Sequence, residues 1–407
     1  MRIFFNPWIM ITLFVVLPVL LSLRNPRGEP QNPITQTTTS SSSSSSSSFF
    51  GTSFGTVKLA NTFPFEFNLR IRDGSNLQYD FYRGTCPKAE DIIRSSVADI
   101  FFDQRSFAAS ILRLFFHDCF IQGCDASLLL EDRNSSYEKQ AIPNLTLKGF
   151  DKIDLIKEEV EQECPGVVSC ADIIALAARD AVLLAGGPFY PVLTGRRDSR
   201  QSYFQEATDQ IPRPDDNVTR TLQLFNLRGF NARETVSLLG AHNIGNIGCD
   251  FIQQRLYNFQ GTRQPDPSIP LDFLADMKRN CPPDNKNTST NNSTNEFSTF
   301  TISKPMNVHD SNKKGMSYAQ ALSSISSGKS LDTHYYQSLL QGRGLLFSDQ
   351  QLMAQEKTAR LVSAYASDDG STFRMDFAAV MLKLSNLDVL TGNQGEVRLN
   401  CSQLRNS

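Results

Sequence analysis

The sequence has no surplus of charge of either sign: 40 Lys and Arg stand against 42 Asp and Glu, for a formal net charge of −2. A nucleic-acid binder needs a basic face, and nothing in this balance supplies one. No C-x-x-C pair occurs among the eight cysteines. In a chain that carries a targeting segment, an even count without such pairs is better read as four disulfides than as redox or metal thiols. The one G-x-S-x-G, Gly51-Thr52-Ser53-Phe54-Gly55, falls in the Ser-rich linker and not between a strand and a helix, so with the cysteines paired neither a serine nor a cysteine hydrolase has its nucleophile. Histidine is scarce, with only His117, His242, His309 and His334. Neither of the first two has a third ligand nearby in sequence, which argues against zinc. Alternating strand patterns are few, and no apolar run reaches the roughly 20 residues of a typical membrane helix.

The chain does contain a targeting segment. Met1 to Leu23 has one early arginine and an apolar run from Trp8 to Leu23, the length of a signal-peptide core. No clean small-x-small cleavage site follows, and Arg24 and Arg27 lie just beyond, so an uncleaved membrane anchor is the alternative. Both versions send the body to an oxidising compartment. Residues 24–76 read as a linker, because nine consecutive serines (Ser40 to Ser48) and their polar neighbours cannot bury enough apolar surface to order. A folded body is expected over 77–402, interrupted by an exposed polar insertion at about 282–328. Sequons at Asn134, Asn217, Asn287, Asn291 and Asn292 suit a glycoprotein.

Within the body the periodicity is helical. It predicts helices over 87–102, 107–116, 150–160, 170–184, 249–257, 271–278, 350–365 and 373–384, and one opened by Asn231 with Glu234 as a capping box. The fold class is therefore mainly α. Chemistry concentrates in SILRLFFHDCFIQGCDASLLL, residues 110–130. Arg113 and His117 are four apart and share one helix face. Cys119 and Cys124 close a tight loop after that helix, and Asp118 and Asp125 bracket it with hard oxygen ligands. His242 ends another apolar helix in GAHNIG, where small residues admit something large and flat. One histidine ligating a metal, opposite a histidine and an arginine, is a pattern suited to haem.

These segments resemble the plant secretory (class III) haem peroxidases. Adding to the match are FYRGTCP at 81–87, CPGVVSCADIIALAARDAV at 164–182, GGPFYPVLTGRRDS at 186–199 and NLDVLTGNQGEVRLNC at 386–401. The resemblance implies the haem peroxidase fold, with haem b between distal and proximal helical halves. It implies an enzyme that reduces hydrogen peroxide and oxidises small phenolic donors by one-electron steps. His242 would be the iron ligand, supported by Asp349. His117 would move the peroxide proton, Arg113 would stabilise the developing charge, and Asn144 would orient His117. Phe116 would shield the haem edge, and the Pro212 carbonyl would help bind the donor. A distal calcium would be held by Asp118, Ile121, Gly123, Asp125 and Ser127, with Glu138 acting through a water. The cysteines would pair as Cys86–Cys164, Cys119–Cys124, Cys170–Cys401 and Cys249–Cys281; sequence alone leaves 105 pairings open. A secreted monomer is expected, on a membrane only if the N-terminal segment stays uncleaved.

The sequence departs from the family at the proximal calcium site. Asn243 stands where the family has threonine, Ser324 and Ser327 fall at an aspartate and a threonine, and Asp332 survives. Loss of a carboxylate weakens calcium affinity, so this second site is expected to bind loosely or not at all. Tyr190 replaces a tryptophan, and Asp215 and Asp216 lie near the expected substrate mouth. Asn144 lies in a sequon yet must be buried for its role. His309 and His334 are expected to be exposed loop residues. The alternatives to an active peroxidase are a haem-binding but catalytically weak relative and a secreted binding scaffold without haem.

Overall fold

Two groups of packed helices make up the body, one on each side of the Arg113–His117 face. A computed structural model describes residues 77–131, 136–283, 315–318 and 331–405. The N-terminal segment and linker (1–76), Ser324, Ser327, His309 and the sequons at Asn134, Asn287, Asn291 and Asn292 lie outside the described residues.

The first group is built around α4 (Cys170–Leu184). Ser169 caps it, its hydroxyl accepting the Asp172 N–H, and almost every side chain along it is buried. Such a helix needs neighbours on all sides, and its alanines let them come close. α1 (Ala89–Asp103), α2 (Phe107–Phe120) and α3 (Phe150–Glu163) provide them. α1 offers Ile93, Val97, Ile100 and Phe101 as one buried stripe. Between the groups run α5 (Phe204–Gln210) and α6 (Val218–Leu227), which the sequence did not announce as helices.

The second group contains α7 (Ala232–Leu239), and the expected capping box between Asn231 and Glu234 is present. Beyond it lie the short helices α8 (Gln253–Tyr257) and α9 (Leu271–Asn280). α7 packs on α12 (Glu356–Ser367) and α13 (Ser371–Ser385), and α12 also packs on α10 (His334–Leu340). At the end of α7 a Cβ on Gly240 would come 2.3 Å from the Tyr336 hydroxyl and 2.6 Å from the Phe373 ring. Only glycine lets that turn sit so close to the aromatic core.

Three expectations are corrected. The helix expected over 350–365 is broken into α11 (Phe347–Gln350), a 3-10 turn at Gln351–Met353, and α12, which restarts after an extended Gln355. The insertion at 282–328 is not exposed throughout. Its described residues 315–318 include β2 (Gly315–Met316), which pairs antiparallel with β1 (Ile247–Gly248), and Met316 and Tyr318 are buried. His334 is not an exposed loop residue either: it opens α10 and is 7% exposed. In both places polar sequence neighbours hid contacts made across the fold.

Four disulfides staple the body: Cys86–Cys164, Cys119–Cys124, Cys170–Cys401 and Cys249–Cys281. The longest-range of them ties the start of α4 to the C-terminal segment, which constrains the unfolded chain most. Among the described residues no helix is long and apolar enough to cross a membrane.

Candidate active site between His117 and His242

The distal half is carried by α2. Arg113 and His117 lie one turn apart, with Arg113 Nε 3.3 Å from His117 Nε2. The guanidinium is aimed by two acceptors in the following loop, Thr146 Oγ1 at 3.0 Å and the Pro143 carbonyl at 3.0 Å. Burial lowers Arg113 to about 10, which still leaves it charged at neutral pH. His117 Nδ1 donates to Asn144 Oδ1 at 2.7 Å, and Asn144 Nδ2 donates to the Glu138 carbonyl at 2.8 Å. The second bond fixes which way the amide faces, so Oδ1 meets the imidazole and its proton sits on Nδ1. Nε2 is thereby left as a free base. Burial, then the Arg113 charge and the facing His242, holds His117 down at about 3.

Below this pair is the loop pinned by Cys119–Cys124. Asp118, Asp125, Ser127 and Glu138 are all at most 1% exposed. Asp118 accepts the Ala126 N–H, Asp125 the Ser127 N–H and Glu138 the Tyr203 N–H. Burial, followed by the charges of Asp125 and Glu138, raises Asp118 well above the usual carboxylate range. Burial also lifts Asp125 to about 6 and Glu138 to about 8. Among the described residues Ser127 Oγ and Glu138 Oε2 are buried with no hydrogen-bond partner. Buried acids with unused oxygens are what a hard cation offsets, so these residues fit calcium. No three His, Cys, Asp or Glu side chains gather as a metal cluster among the described residues. A site of two carboxylates, a hydroxyl and main-chain carbonyls does not require one. Gly123, one of its expected carbonyl donors, has φ +108°, and a Cβ there would strike the Asp388 carbonyl at 2.4 Å.

The proximal half follows α7. His242 sits in the 3-10 turn Gly240–Asn243, its side chain 38% exposed and its Nδ1 2.8 Å from Asp349 Oδ1. Asp349 is fully buried. Its Oδ1 also accepts the Tyr335 hydroxyl at 3.0 Å, and its Oδ2 accepts the Tyr318 hydroxyl at 2.7 Å. Burial alone would raise this carboxyl. The neighbouring His242 and the bonds from His242, Tyr318 and Tyr335 outweigh it and hold Asp349 below the usual range. With Nδ1 committed, Nε2 is the atom His242 presents to the space in front of His117. Phe251, in the turn after β1, lies beneath Arg113, whose Cζ is 6.0 Å from the ring centroid. Half-buried Phe116, Ala241 and Ile244 add apolar surface. An imidazole fixed by a buried carboxylate, facing a second imidazole and a guanidinium across apolar walls, fits a haem.

The two described residues expected at a proximal calcium, Asn243 and Asp332, do not offer it their oxygens. Asn243 turns Nδ2, a donor, towards Asp332 Oδ1 at 2.8 Å, while its own Oδ1 accepts the Tyr335 N–H at 3.1 Å. Asp332 Oδ1 also accepts the His334 N–H at 2.9 Å and contacts His334 Nδ1. Donors converge on this carboxylate where a cation would need further oxygens.

Phe116 lies beside His117 and is wedged against Phe120 and Phe225 at ring separations of 4.8 and 5.8 Å. Pro212 is half-buried in the loop between α5 and α6. Sequence reasoning missed Thr146, Tyr335 and Tyr318. Thr146 is the third residue of the Asn144 sequon and Tyr335 sits in LDTHYY, so both were within reach; Tyr318 carried no signal.

The family model described as Peroxidase matches residues 93–368. The chain is 47% identical over 349 residues to Putative Peroxidase 48 of Arabidopsis thaliana, covering 81% of this chain and 83% of that protein. It is 41% identical over 331 residues to Peroxidase 10, covering 80% and 86%, and 38% identical over 328 residues to Peroxidase 1, covering 80% and 91%, both also of Arabidopsis thaliana.

Proposed function

The chain belongs to the peroxidase family and is a peroxidase, and on that premise we propose that the cleft between His117 and His242 binds haem b and that small phenols are the donors. The observation that carries this is the pair of oppositely committed imidazoles. Each gives its Nδ1 proton to a buried acceptor, Asn144 on one side and Asp349 on the other, which leaves each Nε2 unprotonated, that of His117 accepting from Arg113 Nε at 3.3 Å.

His242 Nε2 is the ligand for the iron. When bound there, haem would supply a redox-active iron able to give two electrons to peroxide and regain them one at a time from two donors. The protein's part is proton handling and charge. His117 Nε2 takes the proton from one oxygen of hydrogen peroxide and delivers it to the other, so that the leaving oxygen departs as water. Its depressed basicity keeps it neutral, and so ready to accept, throughout the physiological range. Arg113 remains charged and offsets the negative charge that builds as the O–O bond breaks. Asn144 holds the tautomer. Phe116 shields the edge of the site, and the Pro212 carbonyl accepts the donor's phenolic O–H.

One calcium belongs to the distal loop, on Asp118, Ile121, Gly123, Asp125 and Ser127, with Glu138 reached through water. The residues that would hold it reach His117 through the Glu138 carbonyl and Asn144. Secretion fits four disulfides behind an N-terminal apolar segment.

The test is reconstitution. Full-length protein expressed with haem and calcium should show a Soret band and turn over peroxide with a phenol, and His242→Ala should lose the band. Haem bound without turnover would support the catalytically weak reading. A His242→Ala variant that kept both haem and full activity would overturn the assignment.

A further inference from the structure

The buried carboxylate behind His242 has a donor that neither the sequence motifs nor the helices of the proximal half supply. Tyr318 follows two residues after β2, which pairs with β1 just beyond the GAHNIG turn, and its side chain is 1% exposed. Its hydroxyl donates to Asp349 Oδ2 at 2.7 Å and accepts the Leu345 N–H at 2.9 Å. The Leu345 amide occupies one lone pair and so fixes the direction in which the O–H points. The ring stands edge-on to Tyr335 at 5.0 Å, and Tyr335 donates to the other carboxylate oxygen, the one that holds His242 Nδ1.

We propose that Tyr318 is a positioning residue for the reaction: by donating to Asp349 Oδ2 it sets how strongly that carboxylate draws on the Nδ1 proton of His242, and so how much electron density Nε2 offers the haem iron. The inference rests on His242 being the iron ligand, as proposed above. A carboxylate has a fixed charge to share among its donors. Each phenolic O–H takes a portion, and in a water-free interior each portion is larger than it would be in solvent. Without Tyr318, Oδ2 would be buried with no donor, the carboxylate would lean harder on His242, and the imidazole would gain anionic character. A more anionic ligand favours the higher oxidation state of the iron. The stretch that contributes β2 therefore reaches the chemistry, although it lies inside what reads as an insertion.

The measurement is the ferric–ferrous midpoint potential of the haem-loaded, full-length protein. Tyr318→Phe keeps the ring and deletes the donor. It should shift the equilibrium about tenfold towards ferric, a fall of roughly 59 mV for one electron. Tyr335→Phe should move the potential the same way. Tyr336→Phe is the control, because its hydroxyl donates to the Val236 carbonyl and not to Asp349, and it should leave the potential in place. In an Asp349→Asn background the Tyr318→Phe shift should vanish. A merely structural Tyr318 would lower the melting temperature without moving the potential, and an unchanged potential overturns the inference. If Tyr318→Phe does not fold, 3-fluorotyrosine placed at 318 is a stronger donor on the same ring. It should raise the potential, and no change there is equally fatal. Failure of the underlying reading looks different: His242→Ala would then leave the Soret band and the potential of the parent protein unaltered.

Discussion

The distal and proximal halves treat buried carboxylates in opposite ways. On the distal side Asp118, Asp125 and Glu138 are buried, raised above their usual range, and accompanied among the described residues by a hydroxyl and a carboxylate oxygen with no hydrogen-bond partner. On the proximal side Asp349 takes three hydrogen bonds and is lowered, while Asp332 takes the amide of Asn243 and the backbone of His334. One half leaves a place for a cation; the other fills the corresponding need with its own side chains. The contrast teaches that rigidity behind a histidine can come from a metal or from protein donors; with calcium bound as proposed, this chain would use one solution on each side of its cleft.

Calcium removal is the largest expected break in that contrast. The purified protein should hold one tightly bound ion, and two tightly held ions by elemental analysis would end the asymmetry. At free calcium about a thousandfold above its Kd, one site contributes about 4 kcal/mol of stability, so chelation should lower Tm markedly. The effect also has a pH signature. In the calcium-free protein Asp125 titrates near 6 and Glu138 near 8, both raised chiefly by burial. A carboxyl raised on folding adds stability below its unfolded value, about 4, and loses it as pH rises through the folded value. The chelated protein should therefore weaken from pH 5 to pH 8, while calcium competes best where the acids are ionised. The Tm gap between calcium-loaded and chelated protein should be wider at pH 8 than at pH 5. An equal gap at both would show that the cluster does not hold the ion.

The second break is catalytic. His117→Leu or Arg113→Leu should slow the reaction with peroxide by at least about 100-fold, close to 3 kcal/mol of barrier. The Soret band should stay, because neither residue bears on His242. Stopped-flow mixing with peroxide reads the first result and the absorption spectrum the second. A loss below tenfold, or loss of haem on a distal substitution, would mean the halves are not separable.

How much of this was legible in the sequence follows from where each contact lies in the chain. α4 was read to its bounds because its apolar run and its ends are local properties. Arg113 and His117 were found because four residues on a helix make neighbours, and His242, Asp349 and the disulfide pairing came through the family resemblance. What stayed hidden depends on segments far apart in sequence. Tyr318 reaches Asp349 across 31 residues, and His334 is buried by packing that its polar neighbours do not foretell. α5 and α6 are short, and Pro212 and Pro214 between them drew attention to the loop and away from the helices on either side. At the proximal calcium site the sequence shows the lost carboxylate, whereas the donor that Asn243 aims at Asp332 is visible only in the fold.

The smallest break concerns Asn144, where the distal half joins its base to its calcium loop. The residue is 2% exposed, its Oδ1 holds the His117 proton and its Nδ2 holds the Glu138 carbonyl. Thr146, which completes the Asn144-Leu145-Thr146 sequon, meanwhile holds Arg113. Peptide mapping should accordingly find Asn144 unmodified, and a glycan there is incompatible with the site. Asn144→Ala should slow the peroxide reaction about tenfold, the 1.4 kcal/mol of a single hydrogen bond to an imidazole that becomes charged. The pH profile separates this role from simple packing. Neutral His117 is present above about 3 and is lost as pH falls through that value, and the Asn144 bond works to raise it. Removing the bond should move the acid limb lower still. Asn144→Asp keeps an acceptor but gives it charge, so it should move the limb up towards neutrality. Limbs that stay together in all three proteins would mean that Asn144 fills space beside His117 without governing its proton.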